Sequence, residues 1–307
     1  MPPLTRARRW LWAIQAAVAV VVIALVARTL TRNWAEFRAL RVALDVQPVW
    51  LALAALTVFV TYAFYIEAWR RLLAGWAQHI PFSAAARVWS LANLGRYIPG
   101  KIWSVTGLVV LAQRAGVRGS AAATSTVAFQ ALVLGSGVAV VAAAAPQGAS
   151  AVRLAIGFLV AAGSLALLVW EPAARRLGQL LSSANPLPPL PLSAVAWGGA
   201  LMLIGWVTYG VAFWLLVRGL LPDPLLSLPA ATGIFTFSYI LGTLAVFAPG
   251  GLGVRELLLV SLLTPPLGTG GAVAVSVASR IFLTLTEAAA AGITIVTGKP
   301  AQVEGPS

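Results

Sequence analysis

The 307-residue chain has no cysteine and a single histidine, His79. The absence of cysteine excludes a disulfide framework, thiolate metal sites, iron–sulfur ligation and cysteine nucleophiles. A single histidine excludes multi-histidine metal centres and leaves a Ser-His-Asp triad with one candidate base. His79 lies in a short predicted loop beside Pro81, where an interfacial position is favoured over a catalytic one. No metal and no other cofactor is therefore expected.

Charged residues are also scarce. They make up 9% of the chain, against about 25% in an average soluble protein. Hydrophobic residues make up 60%, and the mean hydropathy is +0.91. A soluble globule has too little interior to bury so much apolar surface, so the expected solvent is lipid. Disorder is excluded because a chain this apolar collapses.

The charges that remain are mostly positive, with 21 Lys and Arg against 8 Asp and Glu and a net charge of +13. In a soluble protein this excess would indicate nucleic acid. Here the basic residues lie mostly between apolar runs, which is typical of topology signals and of contacts to anionic lipid head groups. The predicted partner is therefore a membrane lipid and not a nucleic acid.

Six apolar runs are long enough to cross a bilayer core of about 30 Å, which takes about 20 helical residues. They are residues 10–30, 48–70, 119–145, 151–170, 191–217 and 270–297. The first run follows three arginines, as a signal peptide would, but a signal peptide has an apolar core of only about 7–15 residues and a small-residue cleavage site. This run is longer and has no convincing cleavage site, so a retained helix is expected.

Two further apolar segments, roughly 81–118 and 227–266, are each interrupted near the middle by a Pro-Gly pair. The interruptions read LGRYIPGKIW (94–103) and APGGLGVRE (248–256). Pro-Gly ends a helix and leaves backbone N–H and C=O groups without partners. At membrane depth such backbone is tolerated only where protein buries it or where it lines a watery cavity.

The two interruptions belong to an internal duplication. Pro99 and Pro249 are 150 residues apart, and the pair Thr61-Tyr62 recurs 147 residues later as Thr208-Tyr209. Each half has the same order of two spans, a broken segment and a span, which is typical of transporters. We expect one transmembrane domain over 1–300, with halves of about 1–147 and 148–299, and a short polar tail over 301–307. The proline-rich segment 183–191 is predicted to be a loop between subdomains.

The distribution of basic residues favours broken segments that turn back to their own side. If both segments cross, the loops on each side hold eight Lys and Arg, whereas two re-entrant hairpins place ten inside and six outside. Each half then has three crossings, so the halves are inverted. The arm 230–247 is long enough to cross the membrane, so a broken single span stays open for 227–266. The predicted fold is an all-α polytopic membrane protein with six full transmembrane helices, two Pro-Gly-broken re-entrant hairpins and an inverted repeat. Both termini are expected in the cytoplasm.

A half-helix beginning after each break offers unpaired N–H groups and a positive dipole end to an anion. The predicted head-group site consists of Arg96, Lys101, Arg255 and Glu256, with Glu256 orienting Arg255. The alternative is that the basic residues only reach the surface and the glycines only pack helices. Arg280 and Glu287 are seven residues apart, close to two helical turns, and are predicted to be an intramembrane pair, with structural and functional roles both open. Glu67 is either a solvated residue at its helix end or functional.

The two motifs together resemble the flippase-like membrane family that includes the transmembrane region of lysylphosphatidylglycerol synthases. The resemblance covers nearly the whole chain and implies an inner-membrane protein linked to phospholipid or polyprenyl-lipid translocation. Matching positions are Gly95, Tyr97, Pro99, Gly100, Lys101, Pro249, Gly250, Gly251, Gly253, Arg255 and Glu256. Apart from Lys101, Arg255 and Glu256, these are the positions where the backbone is predicted to break and a ligand to approach closely. Synthase members add a soluble aminoacyl-transfer domain that this sequence lacks, so synthase activity is not expected.

Three functions remain open at this point. The leading one is a translocase that moves an anionic phospholipid or polyprenyl-phosphate lipid across a bacterial-type cytoplasmic membrane. The second is a non-transporting partner of a separately encoded lipid- or glycolipid-modifying enzyme. An intramembrane lipid-modifying enzyme is disfavoured because Glu67, Glu256 and Glu287 are the only plausible intramembrane acids, and their spacing is not that of metal ligands. The protein is therefore predicted not to be an enzyme.

Overall fold

The computed structural model describes residues 45–97, 102–144, 151–173, 176, 179, 187–245 and 248–297. Every regular element in these ranges is helical. The eight helices discussed below are α1 Pro48–Ala74, α2 Phe82–Leu94, α3 Ile102–Arg114, α4 Gly119–Ala143, α5 Ala151–Val169, α6 Leu192–Arg218, α7 Leu228–Leu244 and α8 Val254–Thr297. The predicted span 10–30 lies outside the described residues.

Five of these helices, α1, α4, α5, α6 and α8, are long and apolar enough to cross a membrane. They overlap the other five predicted spans, and the last of them, α8, begins 16 residues before the predicted span 270–297. The chain is therefore a multi-pass, all-helical membrane protein. The segment 187–191 is not helical, in agreement with the predicted proline-rich loop.

Local sequence explains several helix ends. Pro48 opens α1, where a proline has no N–H to leave unpaired. The Ser227 hydroxyl accepts from the Ala230 N–H and caps α7. Arg71 and Arg218 lie in the last turns of α1 and α6, where a cation complements the helix dipole.

The helix α8 consists of two arms separated at Gly268, whose φ of 70° and ψ of 163° are not helical. Pro265 and Pro266 precede this point and weaken the hydrogen bonding of the same turn. The first arm, residues 254–267, completes the second broken segment. The second arm, residues 269–297, is the predicted last span.

The helices α1 and α6 form the centre of the molecule and pack along each other. Trp69 of α1 and Trp206 of α6 are fully buried, and each indole N–H donates to a group on α4, the Ser125 hydroxyl at 3.1 Å and the Val133 carbonyl at 3.0 Å. These bonds remove the cost of an unpaired N–H inside the bundle. They fix α4 against the central helix pair.

The two broken segments meet. The chain forms 3-10 turns at Gly95–Tyr97 and at Pro249–Gly251, and these turns contact each other. We call residues 95–101 the first break and 245–253 the second break. The described residues of the two breaks therefore lie together, whereas Pro99, Gly100 and Lys101 lie outside the described residues.

Candidate functional site

A cavity of about 350 Å³ lies where the two breaks meet. Its wall is formed by the breaks and by side chains from every helix named above except α5. The residues that matter most for its chemistry are Arg96, Tyr97, Tyr239, Arg255, Arg280 and Glu287. We call this space the central cavity. It brings together residues from distant parts of the sequence, three of them arginines.

Arg96, from the first break, is held by three partners. Its Nη1 donates to the Glu287 carboxylate at 2.9 Å and to the Tyr239 hydroxyl at 2.7 Å, and its Nη2 donates to Asn93 Oδ1 at 2.6 Å. The Tyr97 hydroxyl donates to the other Glu287 oxygen at 2.8 Å. Glu287 thus binds two consecutive residues of the first break, and its side chain is only 4% exposed.

Arg280 binds the second break, as Glu287 binds the first. Its Nη1 donates to the Gly250 carbonyl at 2.8 Å and lies 3.4 Å from a Glu256 oxygen. The other Glu256 oxygen accepts from the Gly253 N–H at 2.8 Å. Glu256 is the third residue of α8, and this bond to the residue before the helix is one half of a capping box. The predicted pairing of Arg280 with Glu287 is wrong, because each of them binds a different break.

Arg255 differs from the other two arginines. Its side chain is buried, with 5% exposure. Its guanidinium lies over the rings of Phe235 and Tyr239, with the Cζ atom 5.2 and 5.5 Å from the ring centroids. Among the described residues, no group accepts a hydrogen bond from Nε or Nη2. The expectation that Glu256 orients Arg255 is also wrong, since the Glu256 carboxylate is bonded to Gly253 and Arg280 and the two rings hold the guanidinium.

Aromatic rings form the rest of the wall. Trp206, Tyr209 and Tyr239 form a cluster in which each ring contacts the other two, with centroids 5.5 to 6.3 Å apart, and Tyr65 lies against the first two. The Tyr65 hydroxyl, like the Asn93 amide nitrogen, has no hydrogen-bond partner in the described part of the chain. The cavity therefore combines rigid apolar surface with several unpaired donors. This combination suits an anion with an organic body.

The family model of the lysylphosphatidylglycerol synthase transmembrane region matches residues 12–291. The chain belongs to this family. No curated protein matches the sequence. Membership agrees with the resemblance seen in the two motifs and with the helical, multi-pass fold.

Glycine is required at the second break of this family member. Gly250 and Gly251 have φ values of 55° and 71°, in the left-handed region that residues with a Cβ avoid. A Cβ on Gly251 would also lie 2.8 Å from the Gly242 carbonyl oxygen, and one on Gly250 would lie 3.4 Å from the Arg96 carbonyl oxygen. The glycines thus permit close contact between the turn, α7 and the first break.

Three further predicted positions, Gly95, Pro249 and Gly253, lie in the two breaks. Gly95 adjoins the start of α3, since a Cβ there would lie 2.9 Å from the Trp103 backbone. Pro249 begins the second turn, and Gly253, with a φ of 84°, precedes α8.

Glu67 is paired with Arg70 and Arg71 at the end of α1, outside the cavity lining. No group of three or more His, Cys, Asp or Glu that would suit a metal ion occurs in the described ranges.

Sequence reasoning missed Asn93 and Tyr239 as parts of the site, and it used Tyr209 only as a marker of the duplication. One signal was present. Tyrosine is typical of the membrane interface, yet Tyr62, Tyr209 and Tyr239 lie well inside apolar segments. A tyrosine in such a position needs a buried hydrogen-bond partner and therefore indicates a polar interior.

Proposed function

We propose that this protein moves an anionic membrane lipid between the two leaflets of a bacterial-type cytoplasmic membrane. The charged head group would occupy the central cavity while the apolar chains stay in the bilayer. The observation that carries the proposal is Arg255, a buried arginine with two nitrogens that have no acceptor among the described residues. A buried guanidinium whose N–H groups lack acceptors is costly, and an anionic ligand removes that cost.

The geometry of Arg255 suits a phosphate. Nε and Nη2 lie on one edge of the guanidinium and present two parallel N–H groups, which match two oxygens on one phosphorus. The rings of Phe235 and Tyr239 fix the plane of this edge. Arg255 is also in the first turn of α8, whose N-terminal dipole end favours negative charge.

The other charges keep this attraction moderate. Arg96 is paired with Glu287 and Arg280 with Glu256, so these four residues add little net charge. Among these four residues and Arg255, Arg255 then supplies the one excess positive charge. Such a site binds an anion without holding it as tightly as three free arginines would, and a translocase must release its cargo.

We also propose that the two halves form an inverted repeat around the α1–α6 contact. Thr61 and Thr208 are equivalent in the duplication and 147 residues apart in the sequence. The Thr61 hydroxyl donates a hydrogen bond to the Thr208 hydroxyl at 2.8 Å. The equivalent tyrosines, Tyr62 and Tyr209, have ring centroids 6.2 Å apart. Equivalent residues that touch each other lie beside a pseudo-twofold axis.

The packing supports the same symmetry. In the duplication, α2 corresponds to α7, and α4 corresponds to the second arm of α8. The helix α2 contacts α8, and in the same way α7 contacts α4. Inverted halves permit one site to be exposed alternately to the two sides.

We propose further that each broken segment is re-entrant. The arms α2 and α3 have 13 residues each and pack on each other, and at 1.5 Å per residue such an arm spans about 20 Å, less than the apolar core. The arms of the second segment, α7 and residues 254–267, also pack together at the break. Two such hairpins place both termini in the cytoplasm according to the distribution of basic residues.

Lipid transport in vesicles tests the proposal. Purified protein is reconstituted with a fluorescent phosphatidic acid in both leaflets, and a membrane-impermeant quencher reports how fast the inner pool reaches the outside. Wild type is expected to accelerate exchange, and Arg255→Ala is expected to abolish the acceleration. Lys101→Ala should have the same effect if this residue, which lies outside the described ranges, also binds the anion.

Arg71→Ala is the matched control. Arg71 is also an arginine beside a carboxylate, but it is 56% exposed and lies at the end of α1, away from the central cavity. This variant should transport as wild type does, and size-exclusion elution should show that all variants are folded. Transport at the wild-type rate by both Arg255→Ala and Lys101→Ala would contradict the site. No transport by folded wild type would favour a partner of a lipid-modifying enzyme.

A further inference from the structure

We propose that the central cavity opens sideways into the bilayer between α3 and α7, and that Gln130 at this opening selects lipids whose chains are attached through esters. The inference rests on the proposed function in taking the ligand to be an anionic lipid. Beyond the proposed function, the inference concerns the route by which the lipid enters the cavity. It also assigns to Gln130 the recognition of the region that joins the phosphate of the lipid to its chains.

The opening is visible in the residues that line the cavity. Ser104 and Val105 of α3 and Thr243 and Leu244 of α7 all belong to its wall. Val105 is nevertheless 45% exposed and Leu244 is 53% exposed. We infer that this exposure marks the place where the cavity opens to the outside of the protein, where apolar side chains would meet lipid tails. We call this opening the portal.

The helix packing explains why a gap occurs at this place. The helix α3 packs on α2 and α4, whereas α7 packs on α4, α6 and α8. The shared neighbour α4 therefore forms the back of the portal. It contributes Phe129, Gln130, Val133 and Leu134 to the cavity wall.

Gln130 is the polar residue in this group. It lies near the middle of α4, which is apolar and long enough to span the membrane, and its side chain is exposed. No described residue forms a hydrogen bond with its amide. An amide facing only hydrocarbon costs free energy, and polar residues at such depth are by default functional. The amide is therefore expected to bond to a polar group within the portal.

A lipid that binds as proposed places its ester groups at this point. With its phosphate at Arg255 inside the cavity and its chains outside, the connecting region passes through the portal. Ester carbonyl oxygens accept hydrogen bonds, and the Gln130 amide offers two N–H donors. An ether-linked lipid with the same head group has no carbonyl, and neither has a prenyl phosphate. Gln130 should therefore favour ester-linked lipids.

Binding measured by native mass spectrometry tests this preference without relying on transport. Dioleoyl phosphatidic acid competes with its dialkyl ether analogue for the detergent-solubilised full chain. Wild type should bind the ester about 2- to 10-fold better, the range expected for one hydrogen bond. Gln130→Leu, with Gln130→Met as a second variant of similar length, should bind both lipids equally.

Gln113→Leu is the matched control. Gln113 is another exposed glutamine on an apolar helix, α3, but it does not line the cavity. It should retain the wild-type preference. Equal binding of the two lipids by wild type, binding of neither, or an unchanged preference in folded Gln130→Leu or Gln130→Met would overturn the role of Gln130.

Closing the portal tests the route itself. The chain has no cysteine, so Val105→Cys and Leu244→Cys can be joined by a bifunctional maleimide. Lipid added after cross-linking should no longer bind, while each single variant treated with the same reagent should bind it. Unchanged binding in the cross-linked protein would refute lateral entry. An ester preference combined with no transport in vesicles would refute the proposed function and leave this inference intact.

Discussion

The ion pair between Arg96 and Glu287 is the most informative place to perturb the molecule. The two atoms are 2.9 Å apart, and the side chains are 25% and 4% exposed. Removing one member of a buried pair leaves the other charge without compensation, which costs about 3–5 kcal/mol. Arg96→Ala should therefore lower the free energy of unfolding by about 3 kcal/mol, near the lower end because Arg96 keeps some solvent contact.

The exposed pair of Arg71 and Glu67 provides the comparison. Its atoms are 2.7 Å apart, but Arg71 is 56% exposed, and such pairs contribute about 1 kcal/mol or less. Arg71→Ala should therefore have a small effect. Glu287→Gln should fall between the two, because an amide still accepts from Arg96 but carries no charge.

The measurement is equilibrium unfolding in mixed detergent micelles, monitored by tryptophan fluorescence. A double-mutant cycle with Arg96→Ala, Glu287→Ala and both changes together isolates the coupling between the two residues. We expect the double variant to be more stable than the sum of the single losses implies, since no uncompensated charge remains. A loss in Arg96→Ala no larger than that in Arg71→Ala, or an additive cycle, would refute the claim that this pair joins the first break to α8.

Three further outcomes follow from the structure. Gly251→Ala should destabilise the fold by about 1–2 kcal/mol from its φ of 71° alone, and more from contact with Gly242; unfolding equilibria would show this, and an unchanged midpoint would contradict it. Trp206→Phe should cost about 1 kcal/mol because the hydrogen bond from the indole N–H to the Val133 carbonyl is lost, measured in the same way. A cysteine replacing Gln113 should react with impermeant maleimide only from the cytoplasmic side, and labelling from outside would exclude the first hairpin.

The sequence predicted most of the helical framework because span length is set by the bilayer and breaks are set by local chemistry. The run 48–70 lies within α1, and the broken segment 81–118 contains α2 and α3 on the two sides of its Pro-Gly pair. Gly268 separates the last span from the second broken segment, close to the predicted boundary between 266 and 270. Each of these features is encoded within a few residues.

The connections across the cavity were not predictable in the same way. Arg96 and Glu287 are 191 residues apart, so no periodicity relates them. The seven-residue spacing of Arg280 and Glu287 suggested a pair because both lie on one face of α8. In the fold, that face meets both breaks at once, and each charge binds the break nearest to it. Two residues on one face of a helix point in the same direction, but this does not determine which groups their side chains bind.

The two breaks are unequal in a way that the duplication alone would not produce. Arg255 has Val105 at the position 150 residues earlier, and Arg96 has Val246 at the position 150 residues later. Each half therefore brings one arginine to the central cavity from its own broken segment, at different places relative to the Pro-Gly pair. Arg96 is bonded to Glu287, Tyr239 and Asn93 and positions the first break, while Arg255 keeps two nitrogens without an acceptor in the described part of the fold. A symmetric site with two free arginines would hold an anion more tightly and release it more slowly, so the division of structural and binding roles between Arg96 and Arg255 is consistent with the proposed transport of a charged lipid.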